Sequence, residues 1–206
     1  MDKVIIKWSK ELDYKTEEAI RTLSTSLVNN DELKKTVVFT SYMGKEGKSF
    51  IAFNTACTMA DMGRKCLYID ANLREKTKTD IYETRGLDNT LVSYLNGKCK
   101  KSELVYATDK ANFYIIESGA PCANAVGLLN TELYCSLIKE LREEYDYIMI
   151  DTPALGEVSD AFIIGRESDG VVFVMETGVV HYEQAQKMKK QLEMNNCRIL
   201  GVVLNK

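Results

Sequence analysis

Histidine and proline are scarce in this chain of 206 residues, which holds one of the first and two of the second. A lone His181 cannot build a histidine-based metal centre, so it is given no role. The six cysteines (Cys57, Cys66, Cys99, Cys122, Cys135 and Cys197) contain no C-x-x-C pair. That spacing favours buried or incidental thiols over metal ligands or a disulfide framework. No apolar run approaches the ~20 residues of a membrane span, and the N-terminus lacks the apolar stretch of a signal peptide. A cytoplasmic chain is expected, reaching a membrane only through a partner. Basic excess is also missing. A net charge of −3 argues against nucleic acid as the main partner, since phosphate-backbone binding needs a basic face.

What is there is an alternation of short β-branched runs and amphipathic helical stretches. It predicts an α/β fold, a mostly parallel central sheet with helices on both faces. Thr16 is expected to cap a first helix whose opening turn holds Glu17 and Glu18, with Ile20, Leu23 and Leu27 on its apolar stripe. Strands are expected at Val37–Thr40, Leu67–Asp70, Phe113–Ile116, Tyr147–Ile150, Val171–Val174 and Ile199–Leu204. Helices are expected at Ser49–Met62, Asn89–Leu95, around Leu133–Leu141, near Ala161 and at Tyr182–Met194. The polar stretch Ala71–Arg85 has no clear period and reads as a mobile loop. No repeat or linker divides the chain, so one domain is expected over residues 1–206. Residues 1–30 form its N-terminal extension and helix, and residues 36–206 its core.

Strand Val37–Thr40 runs into Ser41-Tyr42-Met43-Gly44-Lys45-Glu46-Gly47-Lys48-Ser49 and then into a helix. Unpaired N–H groups at a helix start form a positive nest for phosphate. Lys48 adds a point charge for the β/γ-phosphates, and the Ser49 hydroxyl can complete a Mg²⁺ shell. The full pattern G-x-x-x-x-G-K-[ST] asks for glycine where this chain has Tyr42. Two acidic strand ends supply the missing specificity. Asp70 and Asp151 both close strands whose ends point to the edge where ligands bind in parallel sheets. Asp151 fits the Walker B role, while Asp70 either joins the metal shell or accepts a proton from an attacking hydroxyl. ATP and Mg²⁺ are therefore the expected ligands. Gly44, Lys45, Glu46, Gly47, Lys48, Ser49 and Phe50 are candidates for nucleotide contact, and Lys48, Asp70 and Asp151 for catalysis.

Thr40-Ser41…Gly47-Lys48-Ser49, Tyr68-Ile69-Asp70-Ala71-Asn72-Leu73-Arg74 and Tyr145-Asp146-Tyr147-Ile148-Met149-Ile150-Asp151-Thr152-Pro153 resemble the bacterial tyrosine kinases of capsule and exopolysaccharide systems. These BY-kinases are P-loop relatives of the MinD/ParA ATPases. The likeness continues through Glu18-Ala19-Ile20-Arg21-Thr22-Leu23, Ser159-Asp160-Ala161 and Gly201-Val202-Val203-Leu204-Asn205-Lys206, covering residues 13 to 206. It implies a Mg·ATP-dependent protein tyrosine kinase with Lys48 and Ser49 in Walker A, Asp70 in A′ and Asp151 in Walker B. It places Asn205 near the nucleotide base. It also implies a membrane polysaccharide co-polymerase as activating partner, homo-oligomers, and tyrosines of proteins as substrates.

The departures from the family pattern are specific. Gly44-Lys45 replaces Pro-Gly in the phosphate loop, and Asn72 replaces a second Asp of the A′ motif. The signature lysine of MinD/ParA proteins falls at Met43, which fits that subgroup less well. The family's acidic residue in the middle loop is absent at Gly127. Its oligomerisation motif Glu-x-x-Arg-x-x-Arg reads Glu18-x-x-Arg21-x-x-Ser24, three positions expected to share one helix face. Its tyrosine-rich C-terminal tail has no counterpart up to Lys206, and the eleven tyrosines are spread through the chain. Tyr145 and Tyr147, the closest pair, read as packing residues. An ATP-dependent switch or scaffold is the alternative to a kinase.

Overall fold

The computed structural model describes residues 4–6, 12–29, 35–75 and 87–206. Its elements run α1 (Tyr14–Val28), β1 (Thr36–Ser41), α2 (Lys48–Asp61), β2 (Cys66–Asp70), α3 (Leu91–Leu95) and α4 (Lys101–Leu104). They continue with β3 (Tyr106–Ala107), β4 (Phe113–Ile116), α5 (Ala125–Leu129), α6 (Glu132–Glu144) and β5 (Tyr147–Asp151). The chain closes with α7 (Asp160–Arg166), β6 (Gly170–Glu176), α8 (Tyr182–Met194) and β7 (Ile199–Asn205).

Side chains of successive strand residues point to opposite faces, and this sorts the central strands into two cores. On one face Val38, Leu67, Ile69, Ile148 and Ile150 meet the apolar sides of α6 and α7. On the other, Val37, Phe39, Cys66, Tyr68 and Met149 meet α2 and the Leu27 end of α1. Both faces are covered, which is why these strands read as continuous apolar runs. Phe53 of α2 is fully buried and meets Tyr68 and Phe113 edge-on, with centroids 5.3 and 5.2 Å away.

The seven strands form one sheet in the order β3-β4-β2-β5-β1-β6-β7, parallel throughout except for β3 against β4. From β1 the chain crosses over β5 to build β2, and later turns the other way to build β6. The C-terminal end of β1 is thus a topological switch point, where open α/β sheets leave a crevice for ligands.

Several local expectations change. Asp13, not Thr16, caps α1: its Oδ1 accepts the amides of Lys15 and Thr16, at 2.9 and 3.0 Å, because it stands one turn ahead of the free donors. Leu133 is exposed, and the stripe of α6 is carried by Tyr134, Leu137, Ile138 and Leu141. Short α4, β3 and α5 had no periodic signal. Of the expected loop at 71–85, residues 76–85 lie outside the described residues. Cys57, Cys66 and Cys197 are buried and all six thiols are free, with burial raising the Cys66 thiol to about 12. Tyr145 is buried edge-on to Tyr114, as a packing residue should be.

Phe53→Ala removes a fully buried aromatic that joins α2 to two strands. A loss of about 3–5 kcal/mol is expected, read as a lower urea midpoint with an unchanged slope.

Candidate functional site

Between β1 and α2 the chain turns through two left-handed residues, Lys45 (φ 70°) and Gly47 (φ 85°). Gly47 is the N-cap of α2 and offers no side-chain acceptor, and the first turn of the helix carries no acid. The opening amides of a 14-residue helix are left as donors for an anion. Only glycine suits position 47. A Cβ there would stand 2.4 Å from Nδ2 of Asn205, in a backbone conformation that L side chains rarely adopt.

The loop is braced from several sides. Glu46 is buried, accepting the Met43 amide at Oε2 (2.7 Å) and the Glu176 amide at Oε1 (3.2 Å). Asn205 donates through Nδ2 to the Glu46 carbonyl at 3.1 Å. The Gly44 amide donates to Oε1 of Glu157 at 2.9 Å, and the amides of Leu155 and Gly156 donate to the carbonyls of Ser41 and Tyr42. Glu46, expected among the nucleotide contacts, thus spends its carboxylate on loop shape. Asn205, expected near a base, reaches the loop backbone. Phe50 is partly buried and packs its side chain on the core around α2.

Asp70 and Asp151 face each other as register partners on β2 and β5, both essentially excluded from solvent. Asp70 accepts the Ser118 hydroxyl at Oδ2 (2.8 Å) and the Asn72 amide at Oδ1 (3.0 Å). Asp151 accepts the Tyr68 hydroxyl at Oδ2 (3.3 Å). Its Oδ1 is buried without a hydrogen-bond partner. Burial raises the Asp151 carboxyl to about 7; the Asp70 charge adds to the rise, while Lys48 and hydrogen bonds from Ser49 and Tyr68 oppose it. An orphaned buried carboxylate oxygen beside a lysine and a hydroxyl at a helix start suits a hard divalent cation carried with phosphate. The expected residues therefore do meet at one sheet edge.

Sequence reasoning missed three supports of the site. Ser118 and Tyr68 orient the two carboxylates from β2 and the loop after β4. Arg74 forms a two-point pair with fully buried Asp160, Nε to Oδ2 at 2.8 Å and Nη2 to Oδ1 at 2.7 Å. It thereby joins the segment after β2 to the start of α7. Both residues lay in segments that resembled the family, but nothing in the sequence paired them. Glu157 carried no signal at all.

The oligomerisation positions do not share a face. Arg21 is exposed and Glu18 half-buried, and they pair with each other at 3.4 Å. Ser24 is fully buried, its hydroxyl on the Ile20 carbonyl. Six residues of helix turn the last position about 120° from the first, so an arginine at 24 would point into the core.

A family model described as an AAA domain matches residues 34–198. The chain is 31% identical over 192 residues to tyrosine-protein kinase CpsD of Streptococcus agalactiae, covering 93% of this chain and 84% of that one. Its structure resembles the kinase domain of the Escherichia coli tyrosine kinase ETK, with a TM-score of 0.86 and 28% identity over 92% of this chain and 75% of that one. It also resembles the septum site-determining protein MinD of Pyrococcus horikoshii, solved with Mg-ADP: TM-score 0.68, 26% identity, 83% of this chain and 70% of that one. No helix among the described residues is long and apolar enough to cross a membrane.

Gly47→Ala should lower affinity for nucleotide about tenfold or more, through backbone strain and collision with Asn205. Adding Asn205→Ala relieves the collision alone, so titration calorimetry should recover only part of the loss. The Asp151 carboxyl binds its proton more tightly folded than unfolded, where its ordinary value is 3.8. Stability therefore falls as pH rises between those two values. Asp151→Asn removes this penalty and should melt about 3 °C or more above the parent near pH 8, the gap closing towards about pH 4.

Proposed function

The chain belongs to the bacterial tyrosine-protein kinases, built on an AAA-type ATPase domain, and from that premise we propose that it transfers a phosphoryl group from ATP to protein tyrosines in a capsule or exopolysaccharide system. One observation carries the reading: a braced phosphate loop, Lys48 and two buried carboxylates converge at a single sheet edge.

The amides opening α2 receive the phosphates, and the Lys48 ammonium draws charge off the β/γ oxygens. Ser49, Asp151 and Asp70 are the residues that would hold Mg²⁺, a hydroxyl and two carboxylates suiting a cation that prefers oxygen ligands. When bound, the ion neutralises charge that builds on the transferring group. Asp70 has a second duty, to take the proton of the attacking tyrosine hydroxyl. Asn72, in place of the family's second Asp, cannot share that duty, because an amide is no base. Tyr68 and Ser118 keep both carboxylates in place, and Arg74 with Asp160 fixes the walls on either side.

A membrane polysaccharide co-polymerase as activator, and recruitment to the inner face of the membrane, belong to the same proposal and rest on the family alone. Glu18 and Arg21 are left as surface candidates for contact between copies.

Lys48→Met should abolish Mg·ATP binding in calorimetry; unchanged affinity would overturn the phosphate assignment. Incubation of the parent with ATP and the cytoplasmic segment of its activator should yield phosphotyrosine on itself or on an added tyrosine peptide. Within the described residues any self-modification is expected at Tyr14 or Tyr182, each 76% exposed, and not at the fully buried Tyr68 or Tyr134. Phosphate release without phosphotyrosine would favour the switch instead.

A further inference from the structure

Lys45 is the feature of the phosphate loop that the family pattern does not account for. It stands where the pattern has glycine, and its backbone sits at φ 70°, a region that penalises any residue with a Cβ. The strain is imposed from both sides. Gly44 is held through its amide by Glu157, and Glu46 is held by Met43, Glu176 and Asn205. The crest between these fixed points has one conformation to take, and glycine would take it at no cost. A lysine kept there must return something for the strain.

Its surroundings say what. The Lys45 side chain is exposed, and among the described residues its ammonium has no hydrogen bond and no ion pair. A surface lysine would ordinarily stay hydrated and mobile with little effect. This one rises from the loop that must hold a multiply charged anion. The edge of the sheet it belongs to is rich in negative charge: Asp70 and Asp151 are buried at the ends of β2 and β5, and Glu157 and Glu46 brace the loop. Lys48 is the inner cation, rooted in the first turn of α2. Lys45 supplies a second cation three residues earlier, on a flexible stem long enough to follow the outer phosphate.

We propose that Lys45 is a second phosphate-binding cation of this loop, tightening the hold on ATP more than on ADP because its reach favours the terminal phosphate. The inference rests on the nucleotide reading of the site.

The test uses the full chain with Mg·ATP and Mg·ADP in titration calorimetry at low and moderate salt. Lys45→Asn removes the charge while keeping a residue that tolerates left-handed backbone. Lys45→Gly removes charge and strain together. Both variants should bind ATP about five- to tenfold more weakly than the parent, as expected for losing one close charge contact. The loss for ADP should be smaller, and the ATP affinity of both variants should fall less steeply with salt. Lys45→Arg should restore most of the affinity. ATP affinity equal to or above the parent's in both neutral variants, with the parent binding normally, would overturn the inference alone. A parent that binds no nucleotide would overturn the site reading and this inference with it.

Discussion

Two carboxylates buried side by side on neighbouring strands govern this edge of the sheet. Asp70 and Asp151 are register partners with almost no solvent, and like charges so placed repel in a medium that screens them poorly. An apolar pair would pack there more comfortably. The arrangement is sustained by donors brought from elsewhere: the Ser118 and Tyr68 hydroxyls, the Asn72 amide, and the Lys48 charge. One oxygen is nonetheless left without a partner. Burial of this kind reduces stability, and it clusters at sites where chemistry is done; the cation and phosphates proposed above would complete the charge balance.

The loop above these carboxylates has the opposite character, since its bonds are largely satisfied before any ligand arrives. Glu46 is the centre of that bracing. Its carboxylate ties the two ends of the turn to β6, and its carbonyl takes the amide of Asn205 from the far strand. Donors held in position in advance need little reorganisation when charge develops, which is how phosphoryl-transfer sites lower their barriers. The sheet order makes this possible. β1, β5 and β2 deliver the loop and both carboxylates as neighbours, while β6 and β7 supply the braces.

Much of this could be read from the chain. The parallel α/β fold followed from apolar runs alternating with amphipathic stretches, and the strands carrying Asp70 and Asp151 were placed within a residue of their ends. Lys48 and Ser49 stood out because the chemistry proposed for them depends on a local pattern. What escaped depended on contacts between distant segments. Glu157 meets Gly44, and Arg74 meets Asp160, across more than eighty residues each; neither pair has a spacing to recognise. Glu46 was read as a ligand contact along with its loop neighbours, and no spacing announced that its carboxylate would be spent on the protein's own amides. Thr16 looked like a cap because two acids follow it, and the better-placed Asp13 won. Ser24 was placed on one face with Glu18 and Arg21 by counting in threes, where 100° per residue brings it round to the core.

Glu157 holds a donor that the family pattern does not provide. The family pattern has proline where this chain has Gly44, and proline has no amide hydrogen to give. Here that hydrogen exists and is already held by a carboxylate of the loop that follows β5. A single exchange of proline for glycine has thereby fastened the phosphate loop to the loop leading into α7.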